Sequence, residues 1–405
     1  MGIQDFYNVI KKHCPEVLVV IKLSQLSGQK IAVDISIFLN KYVKSAGTEK
    51  WVDQFIILMC CLKRHGIKPV SIFDGPKPPI EKKQEQERRR AEGAKTKEKI
   101  QFAKSIVRKL EKEYVPEEKD IDESLRKDIK GVLARAASKV NYDDIYDVIS
   151  ELKSSIVKKE RQNLPILPEY TQIAKEIIEI MGFSHYQAPG EAETLCAGLC
   201  CAGMVDAVLS EDTDVMAYGT PFLLSKIDLS TETVTVVSHE AILKALEFTH
   251  FQFRDLCILL SCDYNSRVKG YVPDGKKRKK PAPIGAIGAF IMMEEYVTLE
   301  EAEKYIEDSD PLIYRRCRDL FTPPTKEELS HITIPFNKKI DSERLFNFLK
   351  KHKVRITVDY IIDSWKPADI EFVDGSDEEV LSDEEVLSDE EADVFDYENL
   401  STDEE

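Results

Sequence analysis

Seven acidic residues of this chain stand at positions where they could act together on a phosphate group. They are Asp34, Asp74, Glu191, Glu193, Asp212, Asp214 and Asp263. Buried carboxylates are costly unless they are paired or bind a metal. Mg²⁺ prefers carboxylates and water to Cys or His, and two such ions roughly 4 Å apart can clamp a phosphodiester and supply a hydroxide. These residues therefore predict a site for two Mg²⁺ ions, which would also accept Mn²⁺.

Three short apolar runs lead directly to aspartates of this set. The runs cover residues 30–36, 68–75 and 206–212, and helical patterns such as 52–64 and 171–181 lie between them. Apolar runs of this length bounded by turns are typical of buried strands in a parallel sheet. The alternation predicts an α/β fold with a mostly parallel central sheet and helices on both faces. The aspartates would then meet at the carboxyl ends of the strands.

The other acids of the set are placed by helix patterns. Glu191 and Glu193 follow Pro189-Gly190 at a predicted helix start, where acids also occur simply to compensate the helix dipole. Asp263 follows the apolar run 256–260, which would bring it to the edge of a core.

The charge of the chain is unevenly distributed. Residues 371–405 hold 17 of the 73 acidic residues and no Lys or Arg, so the rest of the chain has 57 basic and 56 acidic residues despite a net charge of −16. Residues 77–112 carry 13 basic residues against 6 acidic ones, and Lys276, Lys277, Arg278, Lys279 and Lys280 form a second basic run. Such segments suit a polyanion, although a solvated helix face is the commoner meaning of one charge run.

Composition divides the chain into five segments. Residues 1–79 and 164–300 would form the two parts of one α/β domain, and 80–163 a helical insertion that stands off the sheet. Residues 301–370 read as a helical C-terminal extension. Residues 371–405, in which VLSDEE occurs twice in succession, are predicted to be a disordered acidic tail. The tail could bind an unknown protein or be phosphorylated at its serines, or it could serve only as a solubilising DNA mimic.

Several classes of protein are excluded by composition. With 42% hydrophobic residues the chain has no apolar run long enough for a membrane span and no signal peptide pattern. The nine cysteines lack zinc-finger spacing and suit reduced thiols in an intracellular protein.

Five blocks of sequence, in order, resemble the flap endonuclease and XPG family of 5′ nucleases. They begin at Met1-Gly2-Ile3, Val33-Asp34-Ile35, Phe73-Asp74-Gly75, Ala188-Pro189-Gly190 and Leu259-Leu260-Ser261. The fourth block continues through Ser210-Glu211-Asp212-Thr213-Asp214. The resemblance covers roughly residues 1–300. It implies a PIN-like nuclease fold with a helical arch and a helix–two-turn–helix region that grips duplex DNA.

The resemblance also implies roles for individual residues. Asp34, Asp74, Glu191 and Glu193 would surround one metal ion, and Asp212, Asp214 and Asp263 would complete the second. Lys82 and Arg89 match the family's DNA-gripping lysine and arginine, and their spacing of seven places both on one helix face. Gly2 would carry a free amine near the DNA branch after Met1 is removed.

The sequence also departs from the family pattern. After Lys269-Gly270, the expected duplex-binding hairpin is lengthened by the basic run 276–280, which is also typical of a nuclear localisation signal. Asn40 stands where flap endonucleases usually place a stacking Tyr, with Phe38 nearby as a substitute. The chain lacks a glutamine-led motif ending in paired aromatics, so a sliding-clamp contact is unsupported. These departures suit a divergent member, such as one encoded by a large DNA virus and acting in the host nucleus.

The expected function is metal-dependent cleavage of DNA at 5′ flaps or single-strand/duplex junctions by a monomeric nuclear enzyme of replication or repair. A 5′–3′ exonuclease and a bubble-cutting repair nuclease remain alternatives within the same class. A catalytically inactive junction-binding protein is the alternative from another class, but all seven carboxylates are retained.

Overall fold

The computed structural model describes residues 2–113, 123–133, 140, 144–273, 280–336, 339–365 and 370–371. Its helices are α1 Phe6–His13, α2 Ile35–Ala46, α3 Trp51–Arg64, α4 Lys82–Glu113, α5 Glu123–Leu133, α6 Ile145–Gln162, α7 Pro168–Ile180, α8 Ala192–Cys201, α9 Asp214–Ala217, α10 His239–Leu246, α11 His250–Leu260, α12 Ala286–Tyr296, α13 Leu299–Ala302, α14 Tyr314–Leu320, α15 Ser342–Lys351 and α16 Val358–Ile362. Its strands are β1 Leu18–Lys22, β2 Lys30–Asp34, β3 Lys68–Phe73, β4 Ser184–Gln187, β5 Ala207–Leu209, β6 Phe222–Asp228, β7 Thr233–Ser238, β8 Lys269–Gly270, β9 Ala282–Pro283, β10 Ile340–Asp341 and β11 Ile370–Glu371.

A seven-stranded sheet forms the centre of the protein, with the strand order β1-β7-β6-β5-β2-β3-β4. The five strands from β6 to β4 are parallel, whereas β7 is antiparallel to both of its neighbours. The three predicted strands are β2, β3 and β5, which lie together in the parallel part. The predicted α/β class and mostly parallel sheet are therefore confirmed.

Each face of the sheet is covered by its own hydrophobic core. Ala32 and Val208 point into one core, which includes residues of α1, α8, α11 and α12. Val33 and Leu209 point into the other, which includes residues of α2, α3, α7 and α15. Because successive strand residues alternate between the faces, strands this apolar are stable only between two helical layers.

The segment between β3 and β4 forms a separate helical unit. Helices α4, α5 and α6 enclose a third hydrophobic cluster of their own, which includes the fully buried residues Leu110, Ile129 and Leu152. The base of the unit is closed where the Asn163 side-chain amide donates to the Gly93 carbonyl at 3.2 Å. The first helix of the unit begins at Lys82, directly after the loop that follows β3.

The remaining described residues surround the sheet. Strands β8 and β9 pair as a short antiparallel ribbon before α12. Within the described ranges, no helix is both long and apolar enough to cross a membrane. All nine cysteines are free thiols, and Cys201 is the exposed one. The acidic tail from residue 372 onward lies outside the described residues, and the five predicted segment boundaries stay predictions.

Candidate metal centre and nucleic-acid interface

The carboxyl ends of neighbouring parallel strands place three of the predicted aspartates. Asp34 is the last residue of β2, Asp74 follows β3, and Asp212 follows β5. Because β2 lies between β5 and β3, these side chains converge at one edge of the sheet. Asp34 and Asp212 are buried, whereas Asp74 is exposed.

A close backbone approach holds Asp74 next to the glutamates. The Gly75 amide donates to the Gly190 carbonyl at 2.6 Å, and a Cβ added at Gly75 would lie 2.0 Å from the Ala188 carbonyl oxygen. Only glycine allows these two loops to touch. The contact lets Asp74 Oδ1 accept a hydrogen bond from the Ala192 amide at 2.9 Å, at the start of α8.

Helix α8 presents both glutamates from its first turn. Glu191 precedes the helix and Glu193 lies within it, and both are buried. The Tyr264 hydroxyl donates to Glu191 Oε2 at 2.6 Å and also lies 3.3 Å from Glu193 Oε1. Tyr264 follows Asp263, so one short segment after α11 supplies both a carboxylate and the hydroxyl that orients two others.

The segment after β5 forms the deepest part of the site. The Ser210 hydroxyl donates to Asp34 Oδ2 at 3.1 Å, and the Asp212 amide donates back to the Ser210 hydroxyl at 3.0 Å. Gly2 packs against the same segment, because a Cβ added to it would lie 1.9 Å from Asp212 Oδ1. The N-terminal residues therefore border the carboxylate cluster.

Two cations from α4 enter the carboxylate cluster. Lys82 Nζ contacts Glu191 Oε1 and lies 3.6 Å from Glu193 Oε1 and 3.4 Å from Asp263 Oδ2. Two turns further along the helix, the Arg89 guanidinium donates to both oxygens of Asp263 at 3.0 and 3.1 Å. The structure thus brings the two predicted cations to the predicted acids.

The electrostatics of the cluster are dominated by burial. Burial, followed by the charges of Asp74 and Asp212, raises the pKa of Asp34 well above its usual value. Burial likewise raises the pKa values of Glu193, Asp212 and Asp214, and the neighbouring carboxylates raise them further. Burial opposes the charged form of Lys82 as well, but the adjacent glutamates and Asp263 outweigh it and raise the lysine pKa. Added positive charge would stabilise the ionised acids.

The donor set fits divalent cations. One oxygen each of Glu193, Asp212 and Asp214 lies within 4.8 Å of the others. Both carboxylate oxygens of Asp214 are buried and have no hydrogen-bond partner among the described residues. Unpartnered buried carboxylates of this kind are expected where an ion completes the site. Glu193 lies beside Asp212 and Asp214, so the division of ligands between two ions stays a prediction.

The predicted DNA-binding residues differ in their exposure to solvent. Lys269 is exposed on β8, whereas Gly270 is buried. A Cβ added to Gly270 would lie 2.8 Å from the Tyr305 carbonyl oxygen. Lys280 is exposed just before β9. Residues Lys276, Lys277, Arg278 and Lys279 lie outside the described residues.

Some features of the site differ from the sequence interpretation or were missed by it. Phe38 is fully buried in a hydrophobic core, so it cannot replace a base-stacking tyrosine at the position of Asn40. The prediction for Phe38 was therefore wrong, because helix periodicity turns its ring inward. Ser210 and Tyr264 were missed as positioning residues, although both stand within the motifs that supply the acids.

Proteins with sequences similar to this chain belong to the family that the carboxylate cluster suggests. The family models of the XPG N-terminal domain and the XPG I-region match residues 1–96 and 182–263. Flap endonuclease 1 of Lachancea thermotolerans is 27% identical over 378 residues, which cover 87% of this chain and 82% of that protein.

Solved structures share the fold. The catalytic core of Rad2 in complex with DNA substrate has a TM-score of 0.57 and 18% identity, covering 90% of this chain and 98% of that one. Flap endonuclease-1 from Methanococcus jannaschii has a TM-score of 0.51 and 19% identity, covering 86% and 93%. The two family models fall on the regions that supply all seven carboxylates, and the similarity to the Lachancea protein extends over most of the chain. This protein is therefore similar to the flap endonuclease and XPG family in sequence and in fold.

Proposed function

We propose that this protein is a divalent-metal-dependent endonuclease that cuts DNA at 5′ flaps or single-strand/duplex junctions in replication or repair. The observation that carries the proposal is the convergence of seven carboxylates with Lys82 and Arg89 at one edge of the sheet. Support comes from the relatives named flap endonuclease 1 and from the Rad2 core, which was solved with a DNA substrate.

The seven carboxylates would hold two divalent ions, Mg²⁺ by preference and Mn²⁺ as an alternative. Four of them, Asp34, Asp74, Glu191 and Glu193, are assigned to one ion. The other three, Asp212, Asp214 and Asp263, are assigned to the second. When bound, such ions supply a hydroxide nucleophile and neutralise the charge that develops on the phosphate and the leaving oxygen.

The cations of α4 would then exchange partners. With the carboxylates neutralised, Lys82 and Arg89 can release Glu191 and Asp263 and donate to the oxygens of the scissile phosphate. Charged donors aimed at a phosphate stabilise the additional negative charge of the transition state. Tyr264 keeps the glutamate oriented throughout. Attack in line would leave a 5′-phosphate and a 3′-hydroxyl.

Contacts outside the cluster would fix the DNA by its backbone. The exposed Lys269 and Lys280, with Lys276, Lys277, Arg278 and Lys279 of the same hairpin, would neutralise duplex phosphates. Gly2 and Gly270 would contribute by close backbone approach at the junction and within the hairpin. The helices of the arch carry further basic residues.

The cellular context follows from the substrate. An enzyme acting on branched DNA works inside the cell, and we assign it to the nucleus, or to the host nucleus for a virus-encoded protein. A monomeric state, the lack of a sliding-clamp contact and binding of the acidic tail to an unknown protein stay predictions.

Cleavage of an end-labelled 5′-flap duplex in Mg²⁺ tests the proposal. EDTA and the Asp212→Ala variant serve as controls, and single-stranded, nicked, bubble and RNA substrates are compared beside the flap. The expected result is a cut at the junction that EDTA and Asp212→Ala both abolish, with junction binding by the variant largely retained. Preferred cleavage of a bubble or of free ends would select another nuclease of the class. Tight junction binding without any cut would overturn the enzyme assignment.

A further inference from the structure

A second group of metal-ligating side chains lies outside the carboxylate cluster. Cys61 and His65 at the end of α3 and Glu232 in the turn between β6 and β7 each direct one ligand atom to a common point. These sulfur, nitrogen and oxygen atoms all lie within 4.8 Å of one another. His65 Nε2 is 3.1 Å from Glu232 Oε2. The proposed nuclease reaction uses none of these three residues.

The local structure fixes all three ligands. Cys61 and His65 are four residues apart, so they lie on the same side of the helix, one turn from each other. The His65 amide donates to the Cys61 carbonyl at 3.3 Å, which keeps this spacing at the helix end. The turn that carries Glu232 is tied down by the Leu23 amide, which donates to the Glu232 carbonyl at 2.9 Å.

The contacts of His65 and Glu232 leave one ligand atom of each available to a metal ion. His65 Nε2 is buried and makes no hydrogen bond of good geometry to a described residue, despite its short distance to Glu232. Arg64 lies 3.7 Å from Oε1 of Glu232, so the other oxygen faces the histidine. Cys61 is 4% exposed, whereas the side chains of His65 and Glu232 are 14% and 40% exposed. An ion could therefore enter from solvent past the glutamate.

We propose that Cys61, His65 and Glu232 bind a transition-metal ion of the Zn²⁺ class at a site separate from the nuclease centre. A mixed set of thiolate, imidazole and carboxylate ligands with a water molecule as the fourth is a set that Zn²⁺ accepts and that Mg²⁺ disfavours. The bound ion would fasten the end of α3 to the β6–β7 turn.

Binding requires one proton to leave. Burial, followed by the charge of Glu232, raises the pKa of Cys61 to about 11, so the free thiol is protonated at neutral pH. As the bond between Sγ and the metal forms, the S–H bond breaks and its proton passes to solvent. His65 would bind through the lone pair of Nε2.

A Co²⁺ titration of the purified full chain in excess Mg²⁺ tests the site, because Mg²⁺ would compete for the carboxylate cluster and a charge-transfer band reports thiolate ligation to Co²⁺. We expect one Co²⁺ per chain with a thiolate-to-cobalt charge-transfer band in the near ultraviolet. Cys61→Ser should abolish the band, and Cys201→Ser, which removes the exposed thiol, should leave it unchanged. His65→Gln keeps the thiol and should weaken Co²⁺ binding by roughly tenfold or more, since loss of an outer-shell partner alone costs about 10–100-fold in metal affinity.

Two results from the charge-transfer band would overturn the site. One is the absence of a charge-transfer band in the folded wild-type protein, and the other is a band that persists in Cys61→Ser. If Cys61→Ser fails to fold, the comparison of His65→Gln with the wild type decides, because equal Co²⁺ affinities would refute the proposed ligand set. Neither readout depends on cleavage of DNA, so failure of the metal site leaves the proposed nuclease function untouched.

Discussion

Lys82 supplies a buried positive charge to the carboxylate cluster. Its ammonium contacts three of the seven acids and its side chain is only 17% exposed. In the absence of a divalent ion, removal of Lys82 would leave Glu191, Glu193 and Asp263 facing one another without a buried cation. We therefore expect Lys82→Ala to destabilise the metal-free protein and to increase the stabilisation that Mg²⁺ provides.

The size of the effect follows from the burial of the contacts. Loss of one partner from a buried ion pair costs about 3–5 kcal/mol, and we take about 3 kcal/mol because the acids with raised pKa values can bind protons instead. For a protein of this size, about 1 kcal/mol corresponds to about 2 °C in Tm. Lys82→Ala should thus melt about 6 °C below the wild type in EDTA, and saturating Mg²⁺ should remove most of the difference.

Thermal unfolding followed by fluorescence in EDTA and in Mg²⁺ provides the measurement. Lys83→Ala is the matched control, because Lys83 is the exposed neighbour on the same helix, and its Tm should stay within about 1 °C of the wild type under both conditions. If the Mg²⁺-induced rise in Tm were equal in Lys82→Ala and the wild type, Lys82 would not substitute for a metal ion and the reasoning would fail.

Three further predictions concern packing, orientation and pH. Gly75→Ala should strongly reduce nuclease activity and Tm, because the added Cβ would lie 2.0 Å from a carbonyl oxygen. Gly131 is the control: it lies in a helix with nothing within 4 Å of an added Cβ, so Gly131→Ala should raise the unfolding free energy by about 0.5–1 kcal/mol. Equal effects of the two substitutions on thermal melts would contradict this prediction. Tyr264→Phe removes the hydroxyl that binds Glu191 at 2.6 Å and should raise the Mg²⁺ concentration for half-maximal activity by about 10–100-fold; an unchanged Mg²⁺ dependence would exclude the orienting role. Burial, followed by the neighbouring His250, lowers the pKa of His239 to about 4, so between pH 6.5 and 4 the unfolded chain binds a proton that the folded protein does not. The free energy of unfolding is therefore unaffected by His239 above pH 6.5 and is lowered by about 2 kcal/mol at pH 5. Denaturant titrations should show a correspondingly smaller decrease in the free energy of unfolding between pH 7 and pH 5 in His239→Gln.

The parallel part of the fold could be predicted because each strand carries its own pattern. The runs that became β2, β3 and β5 are apolar and end at an acid, and parallel strands necessarily present those ends together. Strands β4 and β6 at the two ends of the parallel part, and strands β1 and β7 beyond β6, were not predicted. Val19 and Val20 of β1 are exposed, so a strand at the edge of the sheet lacks the clear contrast between buried and polar residues that identifies the inner strands.

The acids were predicted from local sequence patterns and the two cations only from the family resemblance, whereas the contacts between cations and acids could not be predicted. Acidic residue type and position at a strand end are local properties of the sequence. The contact between Lys82 and Asp263 joins residues that lie 181 positions apart, and the distance depends on how α4 leaves the sheet. The same limit applies to Cys61 and Glu232, because helix spacing identifies only two of the three ligands.

The length of α4 gives its first turns a mechanical role. Its 32 residues form a rod about 48 Å long at 1.5 Å per residue, and Arg89 lies only about 10 Å from its base. A tilt of about 5° about that base would move the far end by about 4 Å and the Arg89 backbone by about 1 Å. A shift of that size is enough to break the 3.0 Å contact between Arg89 and Asp263. On the proposed function, a strand of DNA that presses on the distant half of the helix would act on a lever whose short arm separates Arg89 from Asp263.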